Sequence, residues 1–220
     1  MANKAAVILA GCGYKEGSEI HEAVLSYLAM SGSGIGYHSF STEKMLKASA
    51  PIARDQISLL STLNEKDYDL LWMPGGMGVV KNLSTFLQDG PNCTVDPDIR
   101  RVIEEFHKAG KPIVAVCIAP VLIAKVLEGK GIQMTLGTNK SDCETLKALG
   151  MNPVVCKVDE VCFDKEHNIY TTPGYMEPPS ITGIYIALQK IAKSLYRSRF
   201  KSGELSSSAS SNFNPAASPL

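Results

Sequence analysis

Short apolar runs that alternate with helix-like segments constrain this chain most strongly. Residues 5–10, 69–73 and 112–117 are almost entirely apolar, and Gly or Pro lies at or next to an end of each run. Such runs are typical of strands buried on both faces of a sheet, and the segments between them are long enough to hold helices. The sequence therefore predicts right-handed βαβ units in a doubly wound, mostly parallel sheet with helices on both faces.

This arrangement is the flavodoxin-like class of α/β fold, and its length suits a single domain over residues 1–200. A hairpin is predicted from arms at 160–164 and 169–172, followed by a last helix over 180–196. Residues 201–220 are rich in Ser, Ala and Pro and are predicted to form a disordered tail, because they cannot bury a core.

Two segments in the first third carry more specific expectations. Residues 18–30 predict a helix with Ser18 as its N-cap, and its apolar stripe of Ile20, Val24 and Leu28 is expected to face the core. Between residues 42 and 66 the pattern is weaker. Residues 44–48 and 56–63 are predicted to be helical, with Pro51 separating them.

Composition excludes several classes of function. The 22 basic and 22 acidic side chains balance, and no basic block suggests a nucleic-acid partner. No apolar stretch approaches the roughly 20 residues of a membrane helix. Residues 1–4 run directly into an apolar strand, unlike a secretory or transit peptide, so a cytoplasmic location is predicted, or a mitochondrial one if a presequence precedes this sequence.

The six cysteines are scattered without a CxxC pair, and the four histidines are equally dispersed. This pattern favours reduced thiols over a disulfide framework and argues against a structural zinc site. We therefore predict neither a metal nor a cofactor.

The strongest chemical motif surrounds Cys117, at the end of the third apolar run. A nucleophile elbow needs small residues two places before and two after the reactive residue, and Ala115 and Ala119 occupy those places. A cysteine at the start of a helix is also expected to have a lowered pKa. The alternative, a buried structural cysteine, stays open on the residues alone.

Two further motifs fall at the ends of predicted strands. Gly75 and Gly76 follow residues 69–73, where adjacent glycines let backbone N–H groups face a ligand as in an oxyanion hole; the alternative is a plain tight turn. Glu19 and Glu22 share a face at the start of the first helix, where one of them could act as a general base. Acidic residues there also stabilise the helix dipole, which is the structural alternative.

A rival interpretation is a dinucleotide-binding turn at Gly11, Gly13 and Gly17. The spacing GxGxxxG departs from the usual fingerprint, and residues 37–40 offer no acidic partner for a ribose. This interpretation is disfavoured.

In combination these motifs resemble the PfpI-like superfamily, which includes class-I glutamine-amidotransferase-like domains, and most closely its ElbB-type, glyoxalase-like branch. The segments that carry the resemblance, which spans most of residues 4–196, are 9–13, 17–23, 74–78, 81–84, 110–112, 117–120 and 171–173.

The resemblance implies a role for each candidate residue. Cys117 would be the nucleophile, Glu22 the carboxylate beside it and Glu19 a neighbouring support. The amides of Gly76 and Ile118 would form an oxyanion pocket, with Gly75 shaping the turn. A homodimer is also implied.

One departure from the superfamily limits the chemistry. Its proteases place a histidine directly after the cysteine, where this chain has Ile118, so peptidase and glutaminase activities are disfavoured. The resemblance instead implies a cofactor-free, glyoxalase-like enzyme that converts small 2-oxoaldehydes such as glyoxal and methylglyoxal to 2-hydroxy acids. The alternative is a non-enzymatic redox-sensing or partner-binding domain that uses the same cysteine.

Overall fold

The computed structural model describes residues 3–202, and the side chains of residues 3–196. Nine strands are found in this part of the chain: β1 (Lys4–Ile8), β2 (Gly36–Ser41), β3 (Ile57–Leu59), β4 (Leu70–Met73), β5 (Ile113–Val116), β6 (Gln133–Met134), β7 (Asn152–Pro153), β8 (Cys162–Asp164) and β9 (Ile169–Thr172). Eight α-helices accompany them: α1 (Ile20–Gly32), α2 (Glu43–Ala53), α3 (Met77–Asn82), α4 (Phe86–Asp89), α5 (Pro97–Lys108), α6 (Pro120–Val126), α7 (Lys140–Ala148) and α8 (Ile181–Ser202).

Seven strands form one sheet in the order β3-β2-β1-β4-β5-β9-β8. All neighbours pair in parallel except β8 and β9, which form the predicted antiparallel hairpin. Helices cover both sides of the sheet, and α1 packs against α8. The predicted flavodoxin-like, doubly wound fold is confirmed. β6 and β7 form a separate two-stranded parallel sheet.

The four central strands place four chain segments at one edge of the sheet. β4, β5 and β9 are buried along their whole length, and β1 is buried after Lys4, as expected for strands between two helical layers. Because β1, β4, β5 and β9 are parallel neighbours, their carboxyl ends lie side by side. The segments that follow these strands therefore converge, as ligand-binding segments do in open α/β sheets.

The prediction that the apolar stripe of α1 faces the core is wrong. Ile20, Val24 and Leu28 are 43%, 48% and 51% exposed, and the helix buries the opposite face. That face carries polar groups with partners: Ser26 Oγ donates to the Glu22 carbonyl at 2.6 Å and accepts from the Trp72 indole at 2.8 Å. Because its polar groups are paired, this face can be buried without a large desolvation cost.

Ser18 is not the N-cap of α1. Glu19 caps the helix, because its carboxylate accepts the N–H of Glu22 at 2.7 Å. The Ser18 hydroxyl instead accepts the N–H of Ala10 at 2.9 Å and so fixes the chain that leaves β1.

The prediction for residues 42–66 is partly wrong. A helix contains residues 44–48, but it continues through Pro51 to Ala53. Residues 56–63 contain the edge strand β3 and a short 3₁₀ turn in place of a helix. The predicted last helix continues beyond residue 196 to Ser202. The predicted tail at 201–220 therefore begins inside α8, and its residues 203–220 lie outside the described residues.

Candidate active site

Cys117 lies on the sharp turn between β5 and α6. Its φ of 61° is in the left-handed region, where a non-glycine residue is strained by about 1–2 kcal/mol. The neighbouring strand holds the turn, because the Cys117 N–H donates to the Thr172 carbonyl at 2.9 Å. The residue is only 7% exposed, so little of it is in contact with solvent.

Glu22 is fully buried beside Cys117. Its carboxyl hydrogen-bonds the Cys117 thiol and accepts one backbone N–H on each oxygen. The Gly75 N–H donates to Oε2 at 3.0 Å, and the Tyr175 N–H donates to Oε1 at 3.0 Å. The orientation of Glu22 is therefore set by segments that follow β4 and β9.

Two glycines allow the backbone to pass this closely over the pair. A Cβ on Gly75 would collide with the Cβ of Cys117 and would lie 2.7 Å from Glu22 Oε2. Gly174 has a φ of +53° and packs in the same way against Glu22. A Cβ added to Gly174 would lie 3.1 Å from the Cys117 Cβ. Any side chain at either position would displace the carboxyl or the thiol.

The amides of Gly76 and Ile118 both hydrogen-bond the Cys117 sulfur. Gly76 has a φ of +105°, which lets the turn after β4 present its N–H to the sulfur. Two converging donors at a reacting centre are the arrangement that stabilises negative charge on sulfur or on an adjacent oxygen.

The prediction of a lowered pKa for Cys117 is wrong. Burial raises the pKa of the Cys117 thiol well above its ordinary value, and the charge of Glu22 acts in the same direction. The N–H groups of Gly76 and Ile118 oppose this rise in pKa. Helix α6 is only seven residues long, so its dipole adds little to the lowering. Desolvation therefore outweighs the helix start.

Burial also raises the pKa of the Glu22 carboxyl to about 7, against hydrogen bonds from Tyr175, Cys117 and Gly75; the Glu19 charge adds to the rise. Thiol and carboxyl are thus coupled and titrate as a pair. Near neutral pH the thiol stays protonated while the Glu22 carboxyl changes between its neutral and ionised forms, so the ionised carboxyl can accept a proton at that pH.

Glu19 lies next to the Glu22–Cys117 pair and affects Glu22 without contacting the thiol hydrogen bond itself. It is 8% exposed and caps α1 through the N–H of Glu22, so its carboxylate is held near that of Glu22. Its other oxygen lies 3.6 Å from His21 Nδ1. It acts on Glu22 through charge and through the position of the helix start.

Sequence reasoning missed Gly174 and Tyr175, which complete the enclosure of Glu22. They follow β9, where the Thr-Thr-Pro-Gly ending of a strand next to β5 was the available signal. They sit in a 3₁₀ turn that carries no strand or helix periodicity.

The four histidines have other partners. His21 Nδ1 lies 2.8 Å from the Tyr175 hydroxyl, and His38 Nε2 lies 2.8 Å from the Ser58 hydroxyl. His107 stacks on His167, which in turn pairs with Asp164 at 3.1 Å. The side chain that hydrogen-bonds the Cys117 thiol is the carboxyl of Glu22 and not a histidine.

Gly11 and Gly17 of the rival dinucleotide turn serve packing, whereas Gly13 has a φ of +99° and nothing within 4 Å of an added Cβ. A Cβ on Gly17 would collide with Gly11 and Cys12, and Gly78 packs directly on Gly17. The loop over residues 11–18 is further held by Asn82, whose amide donates to the carbonyls of Ala10 at 2.9 Å and Glu16 at 2.7 Å. Lys81 adds an ion pair to Glu16.

Further features of the described residues bear on ligands and membranes. All six cysteines lie within this part of the chain and carry free thiols. Among residues 3–202 no group of three or more His, Cys, Asp or Glu side chains is arranged to hold a metal ion. No helix in this part of the chain has the length and apolar character required to cross a bilayer.

Comparison with known proteins identifies the family. No family model matches the chain. The human "glutamine amidotransferase-like class 1 domain-containing protein 3, mitochondrial" is 37% identical over 204 residues, which cover 80% of this chain and 75% of the relative. The chain belongs to the glutamine amidotransferase-like class 1 family.

Solved structures agree with this assignment. An isoprenoid biosynthesis protein with an amidotransferase-like domain from Ehrlichia chaffeensis is 30% identical, with a TM-score of 0.82 over 89% of this chain and 99% of that one. DJ-1beta from Drosophila melanogaster is 18% identical, with a TM-score of 0.58 over 89% and 91%, and shows the fold alone. The predicted resemblance to the class-I glutamine-amidotransferase-like domains of the PfpI-like superfamily is confirmed by the human relative and the Ehrlichia structure.

Proposed function

We propose that this chain is a cofactor-free, glyoxalase-like enzyme that converts small 2-oxoaldehydes, such as glyoxal and methylglyoxal, to 2-hydroxy acids. The observation that carries the proposal is a buried carboxyl, Glu22, hydrogen-bonded to a strained and nearly enclosed thiol, Cys117. Because Cys117 is only 7% exposed, a substrate of two or three carbons is favoured over a larger one.

In the first step the Cys117 sulfur attacks the aldehyde carbon while ionised Glu22 accepts the thiol proton. A carbon–sulfur bond forms, the carbonyl π bond breaks, and the resulting oxyanion faces the amides of Gly76 and Ile118. Proton transfer from Glu22 to that oxygen gives a neutral hemithioacetal. Because the Glu22 pKa is about 7, both directions of this transfer are accessible near neutral pH.

In the second step Glu22 removes the proton from the former aldehyde carbon and gives an enediolate. The hydroxyl proton on that carbon moves to the oxygen of the neighbouring carbon, and Glu22 returns its proton to the neighbouring carbon, which yields a 2-hydroxyacyl thioester on Cys117. Water then cleaves the carbon–sulfur bond, which releases the 2-hydroxy acid and restores the thiol. The sequence is redox-neutral overall and consumes one water.

The test is disappearance of glyoxal without glutathione, with glycolate measured as the product. Cys117→Ala and Glu22→Gln are each expected to lower turnover about 100-fold or more, because each removes one partner of the proton transfer. Cys143→Ser, at a half-buried thiol on α7, is the matched control and should leave turnover unchanged. Equal turnover by all four proteins would refute the proposal.

A redox role for the same thiol is the second candidate. The observation that favours it is the carboxyl of Glu22, which in its protonated form can donate to an oxygen on sulfur. Two equivalents of peroxide would oxidise the thiol to a sulfinic acid, each releasing one water. Peptide mass spectrometry after mild peroxide should then find sulfinate at Cys117 ahead of exposed Cys12. Faster oxidation of Cys12 would contradict this role.

A homodimer is also part of the proposal. The exposed apolar stripe Ile20, Val24 and Leu28 on α1 supports it, because such a stripe is costly to leave in water. Light scattering after size-exclusion chromatography should give twice the chain mass, and Val24→Glu should give the monomer. A monomeric parent protein would exclude the dimer.

A mitochondrial location is proposed in place of the cytoplasmic one. The human relative is named as a mitochondrial protein, and it extends beyond the matched region. Fractionation of cells that express the full-length protein is expected to recover it with mitochondria. Recovery in the cytosol alone would support the cytoplasmic prediction.

A further inference from the structure

A short segment after β9, residues 174–177, closes over the buried carboxyl of Glu22. The Tyr175 N–H donates to Glu22 Oε1 at 3.0 Å, and Gly174 packs against both Glu22 and the Cβ of Cys117. The 174–177 segment contains a single 3₁₀ turn, so regular secondary structure does little to hold it in place.

Side chains anchor the 174–177 segment on two sides. The Tyr175 hydroxyl lies 2.8 Å from Nδ1 of His21, on α1. Glu177 Oε1 accepts the N–H of Thr138 at 2.6 Å and its hydroxyl at 2.7 Å. These partners belong to different parts of the fold, so together they fix where the Tyr175 amide sits.

We propose that Tyr175 and Glu177 are positioning residues for Glu22: their side chains hold the backbone amide that orients the carboxyl against Cys117. The proposal rests on the proposed function where turnover is concerned, but the geometry that it describes can be measured without any substrate.

The expected effect on Glu22 follows from the groups around it. The charge of Glu19, the thiol of Cys117 and the phenol of Tyr175 face this carboxyl, together with the Gly75 and Tyr175 amides. A donor on a carboxylate oxygen stabilises the ionised form. Loosening the Tyr175 amide should therefore raise the Glu22 pKa above about 7 and weaken Glu22 as a base.

The experiment compares four variants of the full chain. Tyr175→Phe removes the hydroxyl that reaches His21, and Glu177→Ala removes the acceptor of the Thr138 bonds. Glu177→Gln keeps an acceptor oxygen at the same place and serves as the conservative variant. Tyr14→Phe is the matched control, because Tyr14 is 58% exposed and has no role in the proposal.

The primary measurement is the titration of Glu22 by ¹³C NMR of carboxyl-labelled protein, with its signal assigned by its loss in Glu22→Gln. Tyr175→Phe and Glu177→Ala should each raise the Glu22 pKa by about half a unit, the effect of weakening one hydrogen bond to a carboxylate. Glu177→Gln and Tyr14→Phe should match the parent protein. Turnover of glyoxal should fall several-fold in the first two variants only.

The outcomes separate this inference from the proposed function. A Glu22 pKa that stays at the parent value in both Tyr175→Phe and Glu177→Ala overturns the inference, even if the parent protein turns over glyoxal. A raised Glu22 pKa in a protein without glyoxal turnover supports the positioning role and refutes the proposed function. An equal shift in Tyr14→Phe would also overturn the inference.

Discussion

Replacing Gly174 with alanine should damage the site mainly through a steric clash with the carboxyl of Glu22. At a φ of +53°, an added Cβ would overlap Glu22 Oε1 and come within 3.1 Å of both Glu22 Cδ and the Cys117 Cβ. The backbone of Gly174 is held by β9 on one side, so the carboxyl is the group that must move. Movement of the carboxyl breaks its hydrogen bond from the Tyr175 amide.

Two terms set the size of the effect. An alanine in the left-handed region costs about 1–2 kcal/mol relative to glycine. Loss of a hydrogen bond to a charged, buried group costs about 2–3 kcal/mol more. Gly174→Ala should therefore lower the free energy of unfolding by about 3–5 kcal/mol. Gly110→Ala is the matched control: it has a φ of +66° and nothing within 4 Å of the added Cβ, so only the first term applies.

Urea denaturation at neutral pH measures both variants, and a double-mutant cycle with Glu22→Ala isolates the contact. In the Glu22→Ala background the carboxyl is gone and only the 3.1 Å approach to the Cys117 Cβ remains, so Gly174→Ala should cost little more than the backbone term of about 1–2 kcal/mol. Gly174→Ala should also abolish glyoxal turnover. The reasoning is refuted if Gly174→Ala costs the same in both backgrounds, or costs no more than Gly110→Ala.

Two further predictions concern stability. Because the Glu22 pKa is raised to about 7, the folded state keeps a proton that the unfolded state releases near pH 4.5. The free energy of unfolding should therefore fall by about 3 kcal/mol as the pH rises from 5 to 8. Urea titrations of Glu22→Gln should show a flatter pH dependence. Asn82→Ala removes two hydrogen bonds to the loop over residues 11–18 and should cost about 1–3 kcal/mol, with faster proteolysis at Glu16 or Lys15; an unchanged cleavage rate would contradict the anchoring role of Asn82.

Much of this architecture could be predicted from local sequence. The apolar runs before Pro74 and Cys117 indicated buried parallel strands, and strand order then brought Glu22, Gly75 and Cys117 to one edge. The small residues Ala115 and Ala119 indicate the turn at Cys117 from the sequence alone.

The rest could not be predicted because tertiary contacts override local pattern. Helix α1 exposes Val24 and Leu28 and buries Glu22, since the polar groups on the buried face find partners across the core. No periodicity in a single sequence reports such partners. The predicted lowering of the Cys117 pKa is wrong for a similar reason: the helix start is visible in the sequence, whereas the burial of the thiol is not.

The enclosure of Glu22 draws on residues spaced across most of the chain, from the start of α1 to the turn after β9. A ribosome-bound intermediate in which β5 has emerged but β9 has not would carry the thiol and the carboxyl without residues 174–177 over them. In such an intermediate Cys117 would react as an ordinary accessible cysteine. The time at which Cys117 becomes protected from alkylating reagents should therefore report when the segment after β9 folds during synthesis.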